Sequence, residues 1–299
     1  MDRFLSLQVF VNVAETGGFA AAARKLNMSP PAVTRAISAL EERIGTRLFV
    51  RTTRSVRLTE SGERFLSDSQ RILSDLEEAE EAAIGSHTAP RGEINITAPV
   101  LFGRMYVAPA LGKFLQQYPL VNAQTMFVDR VVNMMDEGMD VAVRIGPLPD
   151  SSLTAIKVGQ VYRVVFATHE YLHRQGIPQH PDELADHQII QAMTLGSSKD
   201  WKFYNQNTPF HVRINPRLKM NTIDAVITMV QEGWGISQLL SYQIAPYLCD
   251  GQFQKILSDF EGPPLPVHVL HQEGRLVSAK VRTCVDYLVE HLRADPHLN

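Results

Sequence analysis

Ser29-Pro30-Pro31-Ala32-Val33-Thr34-Arg35-Ala36-Ile37-Ser38-Ala39-Leu40 is the stretch on which the fold turns. Ser29 is a good N-cap, because its hydroxyl can accept one of the free amides that open a helix. Pro30 suits the first helical position, and Pro31 also falls in the first turn, where backbone amides lack intrahelical partners. The helix that follows is expected to bury Val33, Ile37, Leu40 and Ile44, at steps of four, three and four. Its other face presents Thr34, Arg35 and Ser38, and Gly45 ends it.

Upstream, Leu5, Val9 and Val13 recur every fourth residue with Phe10 and Ala14 beside them, one face of an amphipathic helix. That helix stops at Gly17-Gly18, and a short one follows over 19–26, whose Ala20-Ala21-Ala22-Ala23 run lets a neighbour approach closely. A short helix, a tight turn and a longer helix make a helix-turn-helix. The N-terminal turn of the second helix then suits base edges. Arg35 can reach guanine N7 and O6, and Ser29 and Thr34 can contact bases or phosphates. The rings of Pro30 and Pro31 can meet thymine methyls, and Ser38 lies on the same face.

Downstream, Phe49-Val50 and Val56-Arg57-Leu58 read as two short strands around a polar tip, a wing carrying Arg51, Arg54 and Arg57. Residues 24–64 hold nine cations against four anions, in a chain whose net charge is -3. A local basic patch is the electrostatic footprint that nucleic-acid binding requires. Thr59 caps a long helix to about residue 84. In it Phe65, Ser69, Ile72, Leu76, Ala79 and Ala83 follow a heptad seam. Asp68, Asp75, Glu77, Glu78, Glu80 and Glu81 occupy the other faces, so the seam is expected to pair with its copy in a dimer. Two recognition helices related by a two-fold axis want half-sites about one helical turn apart or a multiple of it.

These residues resemble the LysR-type regulators over 10–62. The blocks are F-V-x-V-A-E-x-G-x-F, A-A-x-x-L, S-x-x-A-V-T-R-x-I-x-x-L-E, G-x-x-L-F-x-R and L-T-x-x-G, here Phe10 to Phe19, Ala22 to Leu26, Ser29 to Glu41, Gly45 to Arg51 and Leu58 to Gly62. Pro30 departs from the polar residue, commonly Gln, that the family often has there. The resemblance implies a transcription regulator that binds a double-stranded DNA operator and answers to a small organic effector. It also implies tetramers built as dimers of dimers, and an RNA polymerase contact if the chain is an activator.

After the hinge-like His87-Thr88-Ala89-Pro90-Arg91-Gly92, strands and helices alternate, which argues an α/β architecture. Strands are expected at 94–97, 123–128 and 140–145, with helices at 103–118 and 131–137. The pattern restarts at 162–168, and a strand at 267–271 and a helix over 277–293 can return to the first half. The fold class is therefore α+β multidomain: an N-terminal winged helix-turn-helix over 1–59, a dimerising linker helix and hinge over 60–90, and an effector-binding domain over 91–299. The resemblance implies that this last domain is two-lobed and periplasmic-binding-protein-like, with lobe one at 91–162 plus 268–299 and lobe two at 163–267.

A cleft between lobes is the expected ligand site. Helix N-termini near Phe102-Gly103 and Asn221-Thr222 would offer it amides and partial positive charge, which suits an anion such as a carboxylate. By resemblance, Val100, Phe102, Ile145, Pro147, Thr194, Trp201, Thr222 and Gln238 would line it. Val100 and Phe102 stand where relatives often have a polar residue, which points to an apolar or aromatic effector.

Other classes fit less well. His169-Glu170-Tyr171-Leu172-His173 spells the zinc-hydrolase motif H-E-x-x-H, and Gly176 fits its extended form. The third ligand position is Gln179, however, and His180 falls one place late, so plain scaffold is the better reading. No enzyme activity, cofactor or metal is expected. A transport-type binding protein has no use for a helix-turn-helix, and Met1-Asp2-Arg3-Phe4 opens no signal peptide. No run approaches the ~18 apolar residues of a membrane span. Cys249 and Cys284 have no metal or redox spacing and read as free thiols of a cytoplasmic protein without a membrane partner.

Overall fold

The computed structural model describes residues 2–51, 56–84, 89–148, 153–193, 200–272 and 278–298. The chain divides into two compact units, Met1–Thr88 and Ala89–Asn299.

The first unit opens with α1 (Arg3–Thr16), α2 (Phe19–Lys25) and α3 (Pro30–Ile44). β1 (Phe49–Arg51) and β2 (Val56–Leu58) pair antiparallel, and α4 (Glu60–Ile84) follows. Gly17 and Gly45 end α1 and α3 in the left-handed region at φ 67° and 76°, which costs a glycine little. Val9, Phe10, Val13, Ala22, Val33, Ile37 and Leu40 are buried in one core, as their helical spacing suggests. Ile44 departs from the expected stripe and is exposed, because Leu48 and Phe49 return from the turn to fill that end of the core.

The second unit holds two five-stranded sheets. The first combines β3 (Gly92–Ala98), β4 (Val121–Phe127), β5 (Val141–Ile145) and β6 (Leu153–Val161). The second takes β7 (Arg163–Thr168), β8 (Ile189–Ala192), β11 (Leu218–Met220), β12 (Ile236–Leu240) and β13 (Phe253–Ile256). Between β8 and β11 the chain makes a separate hairpin of β9 (Asp200–Asn205) with β10 (Thr208–Arg213), and the last strand, β14 (Leu265–Gln272), returns to the first sheet. The orders are β4-β3-β5-β14-β6 and β11-β8-β12-β7-β13. The chain thus crosses between lobes twice, at Tyr162 and at Gly262-Pro263-Pro264, and β14 opens at Leu265, slightly ahead of residue 268.

One long helix covers the first sheet. It runs as α5 (Val100–Phe102), a π-helical turn (Gly103–Val107) and α6 (Ala108–Gln117). Pro109 has no amide to donate and its ring would crowd the carbonyl one turn back, so the turn before it is widened, with the Ala108 amide reaching Gly103. The remaining helices are α7 (His169–Gln175), α8 (Ile223–Gln231), α9 (Ser241–Cys249) and α10 (Ala279–Arg293).

The helix expected over 131–137 is a single turn instead. Asn133 turns its side chain onto the Met135 amide, and Gly138 at φ 64° stops the chain at once. The β9–β10 hairpin was not expected from sequence. Gln206 and Asn207 both take positive φ, the geometry of a two-residue hairpin turn.

Candidate DNA-reading surface and effector cleft

In α3, the Ser29 hydroxyl accepts the Ala32 amide at 3.4 Å, which fixes the first turn. Ser29, Pro30, Pro31, Arg35 and Ser38 are exposed together, while Ala36 and Ile37 behind them are fully buried. Thr34 is half-buried and donates its hydroxyl to the Pro30 carbonyl at 3.0 Å. On the wing, Arg57 is exposed opposite Val50. Arg54 and the side chain of Arg51 lie outside the described residues. Lys25 is paired with Glu15 and Arg47 with Glu41, whereas Arg35 and Arg57 carry no ion pair among the described residues.

Two residues hold the wing to its neighbours: Glu41, whose role sequence reasoning passed over, and Thr59, expected only as a helix cap. Glu41 is buried, and one carboxylate oxygen accepts both the Leu48 amide at 2.8 Å and the Phe49 amide at 3.1 Å. Thr59 caps α4 by accepting the Gly62 amide, and its hydroxyl also donates to the Arg47 carbonyl at 2.8 Å. Gly62 backs onto the wing so closely that a Cβ there would come 2.1 Å from the Leu48 carbonyl oxygen. The run L-T-x-x-G thus has a physical reason in each of its three letters: Leu58 packs, Thr59 caps and Gly62 makes room.

Along α4, Phe65 packs on Phe10 with ring centres 5.2 Å apart, and Ser69 is fully buried. Ile72 is 41% exposed and Leu76 half-buried. The side chains of Ala79 and Ala83 lie outside the described residues.

In the second unit a cavity of about 520 Å³ opens between the lobes, within the usual range for a small-molecule site. Ile145, Trp201 and Gln238 line it, and Pro147 lines a neighbouring space. Val100 is exposed and outside the lining. Phe102 is fully buried against Tyr106 and Tyr242, at 4.8 and 5.2 Å between ring centres. Burial pushes the Tyr106 phenol up to about 12. Thr222 is exposed beside Ile223, which does line the cavity, and Thr194 lies outside the described residues.

The charges in the cleft are specific. Asp129 already accepts the Val100 amide at 3.0 Å, so the first helix terminus holds a carboxylate of its own. Arg130 is engaged with Glu137. Arg144 lines the cavity, and its Nη2 is buried without a hydrogen-bond partner. Burial lowers the pKa of that guanidinium, which nonetheless stays charged at neutral pH. Across the lobes, Arg104 pairs with Asp224 at 2.8 Å. In α7, His169 and His173 are exposed, and among the described residues no three His, Cys, Asp or Glu side chains are grouped to hold a metal. No helix among the described residues is long and apolar enough to cross a membrane.

A reading head with this wing and a two-lobed ligand fold is the architecture of a ligand-responsive DNA-binding regulator. Residues 4–63 match the family model for the bacterial regulatory helix-turn-helix protein, lysR family, and residues 87–293 match the LysR substrate binding domain. The chain belongs to the LysR family of transcriptional regulators. An HTH-type transcriptional regulator of Xanthomonas campestris is 35% identical over 96% of this chain and 85% of the relative. The regulator CrgA of Neisseria meningitidis is 30% identical over 96% of each chain. The solved CrgA structure superposes with a TM-score of 0.62 at 29% identity, over 98% of this chain and 99% of that one. Full-length AphB, the Vibrio cholerae virulence activator, also gives 0.62, at 28% identity over 97% of this chain and all of that one.

Proposed function

We propose that the N-terminal turn of α3, Ser29 to Arg35 with Ser38, reads base edges in the major groove while Arg51, Arg54 and Arg57 hold the flanking backbone. The observation that carries this is the exposed Arg35, without an ion pair among the described residues, beside Pro30 and Pro31 on a helix anchored to the wing by Glu41. Selection of bound sequences from a random DNA pool tests it. Arg35→Ala is expected to relax preference at one position per half-site, at a cost of ~1–3 kcal/mol. Unchanged affinity and unchanged preference would overturn the assignment. Binding should also weaken steeply as salt rises, because cations on the protein replace counterions on the phosphates.

The chain acts as a dimer joined through α4, with tetramers as pairs of dimers, in the cytoplasm where its operator lies. Its task is binding rather than catalysis, with polymerase contact where it activates. The effector site is the interlobe cleft, centred on Ile145, Trp201 and Gln238. An effector shifts the lobes only by binding two arrangements unequally. Mapping bound DNA across the genome would give the operator, and the neighbouring genes would narrow the effector.

A further inference from the structure

The interlobe cavity has a side chamber of about 290 Å³. Arg163, Lys202, Gln238 and Leu265 line both spaces and so form the waist between them. Beyond the waist the walls are Val165, Phe203, Tyr204, Phe260 and Pro147, closed by the returning crossover at Gly262-Pro263-Pro264. The chamber is apolar and aromatic, whereas its entrance carries two cations.

Neither cation has a carboxylate partner among the described residues. Lys202 stands over the Tyr204 ring, 5.1 Å from its centre. The acid of the chamber, Glu261, is paired with Lys255 at 2.8 Å. In the main space, Asp129 holds the Val100 amide, and Asp200 lines that space but not the chamber. Two cations without a carboxylate partner among the described residues thus line the passage between the spaces, and an anion seated there would pair with both.

The geometry points to an aromatic carboxylate as the effector, its carboxylate held between Arg163 and Lys202 and its ring seated in the side chamber against Phe203, Tyr204 and Phe260. This rests on the interlobe cleft being the effector site. Size agrees with one ring or two fused rings, since a dry cavity on the order of 150 Å³ takes up a benzene. The chamber also has a direct mechanical link to the lobes. A Cβ at Gly262 would come 2.4 Å from the Tyr204 ring, so the crossover lies against the very ring a ligand would press. An occupant that displaces Tyr204 must move one of the two strands joining the lobes.

Calorimetric titration of the full chain with 2-naphthoate and with uncharged 2-naphthamide tests this. Saturable binding of one naphthoate per chain is expected, with naphthamide at least tenfold weaker. Arg163→Gln should weaken naphthoate at least tenfold, and so should Pro147→Trp, which fills the chamber from an exposed position. If Pro147→Trp does not fold, Lys202→Gln takes its place with the same expected loss. Equal binding of acid and amide, no saturable binding at millimolar ligand, or full binding by these variants would overturn the assignment. His211→Leu, a change in the main space alone, separates the two readings. Naphthoate binding lost there but kept in Pro147→Trp leaves the cleft as the site and removes the chamber; binding indifferent to both variants removes the cleft as well.

Discussion

Glu41 is an acid with almost no access to water, and it accepts two backbone amides from the turn into the wing. In the sequence it counts only as one of four anions in a basic stretch, because nothing local distinguishes a solvated acid from one that folds inward. Its ion pair with Arg47 adds little, since that arginine is mostly exposed. Glu41→Leu leaves two buried amides without an acceptor and should cost ~1–3 kcal/mol per amide. Urea unfolding of the N-terminal unit checks this, and Arg47→Ala should shift the midpoint hardly at all. The cysteines give a second test at this scale. Burial pushes the Cys284 thiol up to about 12, whereas Cys249 is exposed. Iodoacetamide at pH 8 should therefore label one thiol per native chain and two after denaturation, as read by intact mass.

Helices with strong spacing were legible as elements, and their ends followed from Ser29, Gly17 and Gly45. What escaped were elements whose backbone is set by a local side-chain bond or a positive φ, as at Asn133 and at Gln206-Asn207. The cleft was only partly legible for a related reason: Val100, Phe102 and Thr222 sit in the right segments, but which way a side chain faces depends on how far a helix start slides along the chain. Gly62 shows a close approach that periodicity cannot reveal. Gly62→Ala drives a methyl into the Leu48 carbonyl and should cost ~1–3 kcal/mol or more, lowering the thermal midpoint of the DNA-reading unit and its affinity together. For α4, the N-terminal part of the seam already packs within its own chain through Phe65 and Ser69, while Ile72 remains exposed. Ile72→Glu should shift sedimentation toward the monomer and weaken operator binding by more than tenfold, with the fold of each unit retained.

At the level of the whole chain, the two units differ in how separable their parts are. Each five-stranded sheet of the second unit could have carried a core of its own. Each does have a smaller cluster of its own, around Met134 and Leu270 in the first lobe and Tyr171 and Trp201 in the second, but the main one is shared: it runs from Ile94 and Phe114 of the first lobe through Phe102, Tyr106 and Tyr242 to Phe166 and Ile227 of the second. Residues 89–299 are therefore expected to melt in one cooperative transition by calorimetry, with no separate step for either lobe.

That shared cluster also sets where this chain can be cut and joined to a relative. A chimaera exchanged near residue 88 trades whole units and should keep both, so recognition and response can be recombined there. An exchange at Tyr162 and Gly262 would have to match Tyr242 to a foreign partner for Phe102 and Tyr106. The lobes are thus expected to be exchanged only as a pair, and ligand preference to be altered more readily by substitution inside the cleft than by swapping half of it.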